Sequence, residues 1–260
     1  MNDELTLAIE TSTRDGTVAF GVGDVLYDTR TLPTDSRHAG GLLPAIKELL
    51  ERHGRRFRDL DLLIFSQGPG SFTGLRIAAA LATLAQSTTG CRVVGVPSLM
   101  VIACNALRRP ECPPRIVSVL DAGSGRVYIG IYKRVGPDEI ATLHSPSIVS
   151  AAECLQTIAP PYIIIGTGFK ACLDTKIGPP QSECLPVLGE SGTLLGGVLI
   201  LGEEYRTPDV STTYRLGRRQ AAAGCLCRPE EIVPLYLRPP ASEEVYEQRR
   251  EEARRRRGEA

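Results

Sequence analysis

Along the chain, short unbroken apolar runs alternate with longer stretches whose apolar positions recur every three or four residues. Leu5–Glu10, Leu60–Ser66, "CRVVGVPSL" and "YIIIGTG" are of strand length and composition. "GGLLPAIKELLERHG" sets Leu42, Leu43, Ile46, Leu49 and Leu50 at helical spacing, with Lys47, Glu48, Glu51 and Arg52 elsewhere and Pro44 expected in the first turn. From Gln67 to Gln86 the pattern predicts a glycine turn and then a helix capped by Ser71. That helix carries Leu75, Ile77, Ala78, Ala79, Ala80, Leu81, Ala82, Leu84 and Ala85, so neither side of it reads as reliably polar. A helix apolar all round has to be covered all round, by its own chain or by another. A further helix is expected near Ala151–Ile158, and a loop at Gly178–Pro186.

The pattern also repeats. A strand ending at Glu10 enters a polar turn with Gly16, and a second strand returns through Thr17–Phe20, with extended chain to Tyr27. Much later a strand ending at Asp121 enters a turn through Gly123 and Gly125 and returns along Val127–Tyr132. Each hairpin delivers a carboxylate into a glycine-bearing turn. Strands alternating with helices, together with this recurrence, predict an α/β protein of two related lobes. The turn cluster Arg108–Pro114 is the best internal boundary. The expected division is an N-terminal lobe over 1–107, a second, reduced lobe over 108–222, a segment 223–246 returning to the first lobe, and a charged tail over 247–260.

Composition narrows the chemistry. The 260 residues include 30 basic and 30 acidic side chains, so no whole-molecule field favours nucleic acid or an anionic membrane. The acidic N-terminus lacks the pattern of a signal peptide, and no apolar run approaches the roughly 20 residues of a membrane span; a cytoplasmic protein is expected. Eight cysteines without a CxxC pair predict reduced, mostly buried thiols, and three histidines, His38, His53 and His144, supply no HExxH-type metal site. The glycine turn Gly68, Gly70, Ser71, Thr73, Gly74 follows a strand and opens a helix, the usual setting for anion binding. It nonetheless fails both the Walker spacing and the dinucleotide fingerprint.

"LAIETST", "GPGSFTGLRIAAALA", "VGVPSL", "DAGSGRVY", "IGTGF" and "PLYLR" occur in an order and spacing that resemble the TsaB (YeaZ) family, up to about Arg238. The resemblance implies a two-lobed actin-like (ASKHA, RNase H-like) fold with mixed sheets flanked by helices. It further implies a non-catalytic subunit of the TsaD-type transferase complex that makes N6-threonylcarbamoyladenosine at position 37 of tRNAs reading ANN codons. Expected partners are the TsaD-type subunit, a TsaE-type ATPase in the assembled complex, tRNA indirectly, and a second copy of the chain in isolation; a membrane is not among them. No tightly bound cofactor or metal is expected, with ATP and Mg²⁺ held mainly by partner subunits. The family often has Asp at Glu10 and an acidic residue at Arg126, and the tail beyond Tyr246 lies outside the shared pattern.

Together these readings give two expected sites. Glu10, Ser12, Thr13 and Asp121 would line a vestigial nucleotide cleft, with the carboxylates bonding nearby backbone N–H groups rather than a cation. Leu42, Leu43, Ile46, Leu50, Arg76, Ala79, Ala82 and Leu84 would form a partner face on the two helices. Arg76 stands near a helix N-terminus, which is electrostatically unfavourable, and is either solvated or paired with a carboxylate. His38 is read as a hydrogen-bonding residue at helix entry. The rival reading is a stand-alone ATPase or small-molecule kinase using Glu10 and Asp121; a metalloprotease lacks its histidine pair.

Overall fold

The structure, a computed structural model, describes residues 4–33, 38–109, 113–154, 161–173, 192–195 and 198–237. The first half runs β1 (Leu5–Glu10), β2 (Thr17–Val22), β3 (Val25–Thr31), α1 (His38–Arg52), β4 (Leu62–Gly68), α2 (Phe72–Thr89), β5 (Arg92–Pro97) and α3 (Ser98–Asn105). The second runs β6 (Arg115–Gly123), β7 (Arg126–Gly136), β8 (Glu139–Ser150), α4 (Ala151–Cys154), β9 (Tyr162–Ile165), α5 (Phe169–Leu173), β10 (Gly192–Leu195), β11 (Val198–Leu201) and α6 (Val210–Ala222).

The first sheet has the order β3-β2-β1-β4-β5, antiparallel across the meander and parallel from β1 onward. The second has the order β10-β11-β9-β6-β7-β8. Removing β10 leaves the same plan, with β8-β7-β6-β9-β11 matching β3-β2-β1-β4-β5 in order and in sense. The echo between the two hairpins is therefore a repeat of the whole lobe, and the fold is the two-lobed actin-like arrangement.

β1 is buried on both faces, which is why it reads as a continuous apolar run rather than an alternation. Its odd-numbered side chains Leu7 and Ile9 meet α1 and α2 through Leu42, Ile46, Leu49, Leu50, Ala78 and Ala82. Ala8 faces the other way, into a cluster with Ile64, Val94, Val96 and Tyr214 of α6. α6 precedes the expected boundary at 222, yet it packs on β1, β4 and β5 of the first sheet. α3 packs Leu99, Ile102 and Ala103 against Ile116, Leu120 and Tyr132 of the second sheet, and it also touches α6. These two helices form the layer between the sheets.

Two elements depart from expectation. "CRVVGVPSL" has strand composition along its whole length, but the strand ends at Pro97 and α3 starts at Ser98. Pro44 is not in the first turn of α1: the helix begins at His38, so the ring lies well inside it. Pro44 and Gly40, the residue whose carbonyl loses its intrahelical donor, are both solvent-exposed, which lessens the cost. Of the helix expected near Ala151–Ile158, Ala151–Cys154 is present and the remainder lies outside the described residues, as do the Gly178–Pro186 loop and the charged tail.

Candidate functional site

At the C-terminal end of β1 the chain turns through Thr11 and Ser12, and Glu10 is folded back beneath this turn at 1% exposure. Its Oε1 accepts from the Ser12 backbone N–H at 2.9 Å and from Ser12 Oγ at 2.5 Å. Its Oε2 accepts from Thr213 Oγ1 of α6 at 3.1 Å. Burial raises the carboxyl above its ordinary range, while the bonds from Ser12 and Thr213 pull the other way. Both oxygens are thus engaged and enclosed. Thr13 lies outside this knot, half-buried, with its hydroxyl on Asp15 O at 3.4 Å.

The glycine turn closes on the same place. Ser71 N donates to Ser12 O at 2.6 Å, and Thr11 Oγ1 donates to Gly74 O at 2.9 Å. A side chain at Gly70 would put its Cβ 2.7 Å from Ser12 Cβ; one at Gly74 would overlap the Thr11 carbonyl oxygen and lie 3.1 Å from its carbon. Glycine is required here because two backbones touch. Ser71 caps α2 as expected, accepting from Gly74 N at 3.3 Å, and Thr73 is exposed beside it. Gly68–Pro69 is a cis peptide, and Gln67 O receives Leu235 N at 2.7 Å from the C-terminal segment.

The second hairpin turn is open by comparison. Asp121 is exposed and accepts from Gly123 N at 2.7 Å, the local turn bond anticipated for it, in a turn where Gly123, Ser124 and Gly125 all have positive φ. Among the described residues no cluster of three or more His, Cys, Asp or Glu side chains has a metal-holding arrangement. Cys91, Cys154 and Cys172 are buried cysteines outside any disulfide, Cys104 and Cys227 are half-buried, and Cys225 is exposed; Cys112 and Cys184 lie outside the described residues.

The expected partner face needs correction. Leu42, Ile46, Leu50, Ala79 and Ala82 have exposures of 5% or less and belong to the first lobe's own core. A regular apolar stripe marks the side of a helix that its own sheet covers, so those side chains are already spent. Leu43, Arg76 and Leu84 do face outward. So do Phe72, Thr73, Ala80, Thr83, Ser87 and Thr88, which with Arg76 and Leu84 form the outer stripe of α2. α2 is therefore not apolar all round. Its hydroxyls are turned inward on their own helix: Thr83 bonds Ala79 O, Ser87 bonds Thr83 O and Thr88 bonds Leu84 O, at 2.8–3.0 Å. Such a surface can be covered at little desolvation cost.

Arg76 is exposed, as the solvated reading expects, and it also meets an aromatic ring. Its guanidinium lies 5.2 Å from the centre of the Phe72 ring, which in turn meets Tyr236 at 5.4 Å. Phe72, Leu84, Leu43, Val233 and Tyr236 are all more than 40% exposed. Val233 and Tyr236, from the segment that returns along β4, were not anticipated as surface residues. Leu43 and Leu84 are the two apolar members of the expected face that remain exposed. His38 opens α1, and its side chain lies outside the described set.

Against known proteins, a relative from Escherichia coli (strain K12), "tRNA threonylcarbamoyladenosine biosynthesis protein TsaB", is 30% identical over 244 residues, covering 89% of this chain and 94% of its own. The chain belongs to the TsaB family. The protein of the same description from Bacillus subtilis (strain 168) is 29% identical over 239 residues, covering 89% of this chain and 93% of its own. The family model "TsaD: tRNA N6-adenosine threonylcarbamoyltransferase" matches residues 33–167, a span that takes in α1 of the first lobe and ends just past β9 of the second. The solved structure "YeaZ from Pseudomonas aeruginosa" superposes with a TM-score of 0.70 at 24% identity, covering 90% of this chain and all of that one, which fixes the fold. Among the described residues of this TsaB-family chain, no helix is long and apolar enough to cross a membrane.

Proposed function

We propose that this chain is a non-catalytic scaffold subunit in the formation of N6-threonylcarbamoyladenosine at position 37 of tRNAs reading ANN codons. It docks a TsaD-type transferase through the outer stripe of α2 and the exposed edge of α1. A TsaE-type ATPase joins the assembled complex, and ATP and Mg²⁺ are held there mainly by partner subunits. Without the transferase, the same face pairs two copies of the chain, so the two assemblies exclude one another.

The observation that carries this reading is the closure of the glycine turn on Thr11–Ser12. The glycine turn is seated on the chain's own backbone at Ser12, and the carboxylate at the end of β1 is enclosed by Ser12 and Thr213, which supports a role other than phosphate binding for this joint. An exposed apolar face beside it supports a role in binding. The test is to purify the chain with a TsaD-type transferase and compare tRNA modification with and without it. Strong dependence on the chain, with no ATP turnover by the chain alone, is expected. Turnover by the isolated chain that disappears in Glu10→Ala or Asp121→Ala would replace this reading with that of a stand-alone ATPase or kinase.

A further inference from the structure

A crevice of about 450 Å³ lies between α6, the end of α3 and the β2–β3 and β7–β8 turns. Glu10 pairs with Thr17 at one end of the first hairpin and Leu5 with Val22 at the other, next to the turn that carries Asp24. In the second hairpin, likewise, Asp121 is at one end and Arg115 pairs with Lys133 at the other. The crevice therefore opens at the opposite strand ends from the glycine turn and is separate from it.

Its lining combines the apolar Cys104, Leu107 and Leu216 with four guanidinium groups. Two of these are neutralised. Arg218 is buried against Glu4 and reaches Asp24 at 3.5 Å; Arg108 reaches Asp209 at 3.2 Å. The other two are not. Arg215 donates to Thr212 Oγ1 at 3.2 Å, and Arg219 donates to the backbone oxygen of Asp138 at 2.5 Å. Among the described residues, neither forms an ion pair with a carboxylate. They stand four apart on one side of α6, where like charges repel. Both lie close enough to Cys104 to pull its thiol downward, against burial that pushes it up to about 12. The acidic groups facing the crevice are Asp24, already engaged by Arg218, and Asp138 on the rim.

We propose that this crevice binds a small organic phosphate, its phosphate between Arg215 and Arg219 and its apolar body on Leu107, Leu216 and Cys104. Two unmatched guanidiniums suit a phosphate. A concave, mostly apolar site of this volume suits a small molecule better than a polymer backbone.

Calorimetric titration of the full chain at low salt tests the proposal, with AMP, inorganic phosphate and a short single-stranded RNA as probes. AMP should saturate at one per chain, at least tenfold tighter than inorganic phosphate, and weaken as salt rises. Arg215→Gln/Arg219→Gln should weaken AMP at least tenfold while its thermal unfolding matches the parent; if the double variant fails to fold, Arg215→Gln alone should weaken AMP severalfold. The proposal is overturned by absent or non-saturable AMP binding, by AMP affinity no better than that of phosphate, by affinity unchanged in the variants, or by binding of RNA alone. None of these readouts needs the transferase, so failure here leaves the scaffold reading standing, and failure of that reading leaves this one.

Discussion

Replacing Gly74 by Ala tests whether the glycine turn is a closed structural joint or an open anion loop. The added Cβ would overlap the Thr11 carbonyl, so α2 and the β1–β2 turn have to separate. Two hydrogen bonds span that seam, Ser71 N to Ser12 O and Thr11 Oγ1 to Gly74 O. Losing both costs about 1 kcal/mol each, and forcing extra volume into a packed contact adds roughly 1–3 kcal/mol. Alanine returns about 1 kcal/mol because position 74 is helical. The net is a loss of about 2–4 kcal/mol, which for a chain of this size lowers Tm by roughly 10 °C. Gly40→Ala is the matched control: it is also helical, with nothing within 4 Å of the new Cβ. It should be neutral or stabilising by up to about 1 kcal/mol. Thermal and urea unfolding of both variants decide the matter. If Gly74→Ala lies within about 1 kcal/mol of Gly40→Ala, the seam is pliable and the closed-turn reasoning is wrong.

Two further substitutions probe the neighbouring surfaces. Ala80→Arg, on the exposed stripe, should shift unfolding by no more than about 0.5 kcal/mol yet weaken docking to the transferase by about a hundredfold or more, whereas Ala82→Arg, at 0% exposure, should unfold the chain; wild-type docking by Ala80→Arg would move the interface elsewhere. Glu10→Gln keeps an acceptor for Ser12, and since burial raises the native carboxyl from its ordinary 4.5, wild-type stability should fall as pH climbs from there through the native value and then level off. The variant should lack that fall, and parallel stability–pH curves for the two proteins would contradict the assignment.

The elements legible in the sequence were those with an unambiguous period or punctuation. Ser71 before a helical run gave the α2 cap, and the two carboxylate-and-glycine turns gave the repeat. α3 escaped because "SLMVIACN" is almost wholly apolar, and an unbroken apolar run carries no period to separate helix from strand. β8 escaped for the opposite reason: it has no fully buried residue and carries Pro146, so nothing in its pattern marks a sheet face. Helical periodicity identifies the stripe that a helix's own sheet covers, which is why Leu42, Ile46, Leu50, Ala79 and Ala82 are buried while Leu43, Arg76 and Leu84 of the expected face stay outside. The enclosure of Glu10 was beyond reach for a different reason, since Thr213 lies 203 residues away. The pairing of buried Glu4 with buried Arg218 and with the exposed Arg92 has the same long-range character.

A glycine in a strand–turn–helix segment signals only that a backbone must come close to something. In a phosphate loop that something is a ligand, and the turn's N–H groups point at it. Here it is the backbone of Thr11 and Ser12, and the steric requirement on the sequence is identical. What separates the two cases is Ser12. Its carbonyl takes the Ser71 N–H, while its own N–H and hydroxyl both turn to Glu10. One residue thereby engages one of the turn's N–H donors and the strand-end carboxylate together. Phe72 and Leu84 stay exposed on α2 outside that joint, which is why the docking test is placed at Ala80, between them on the same stripe.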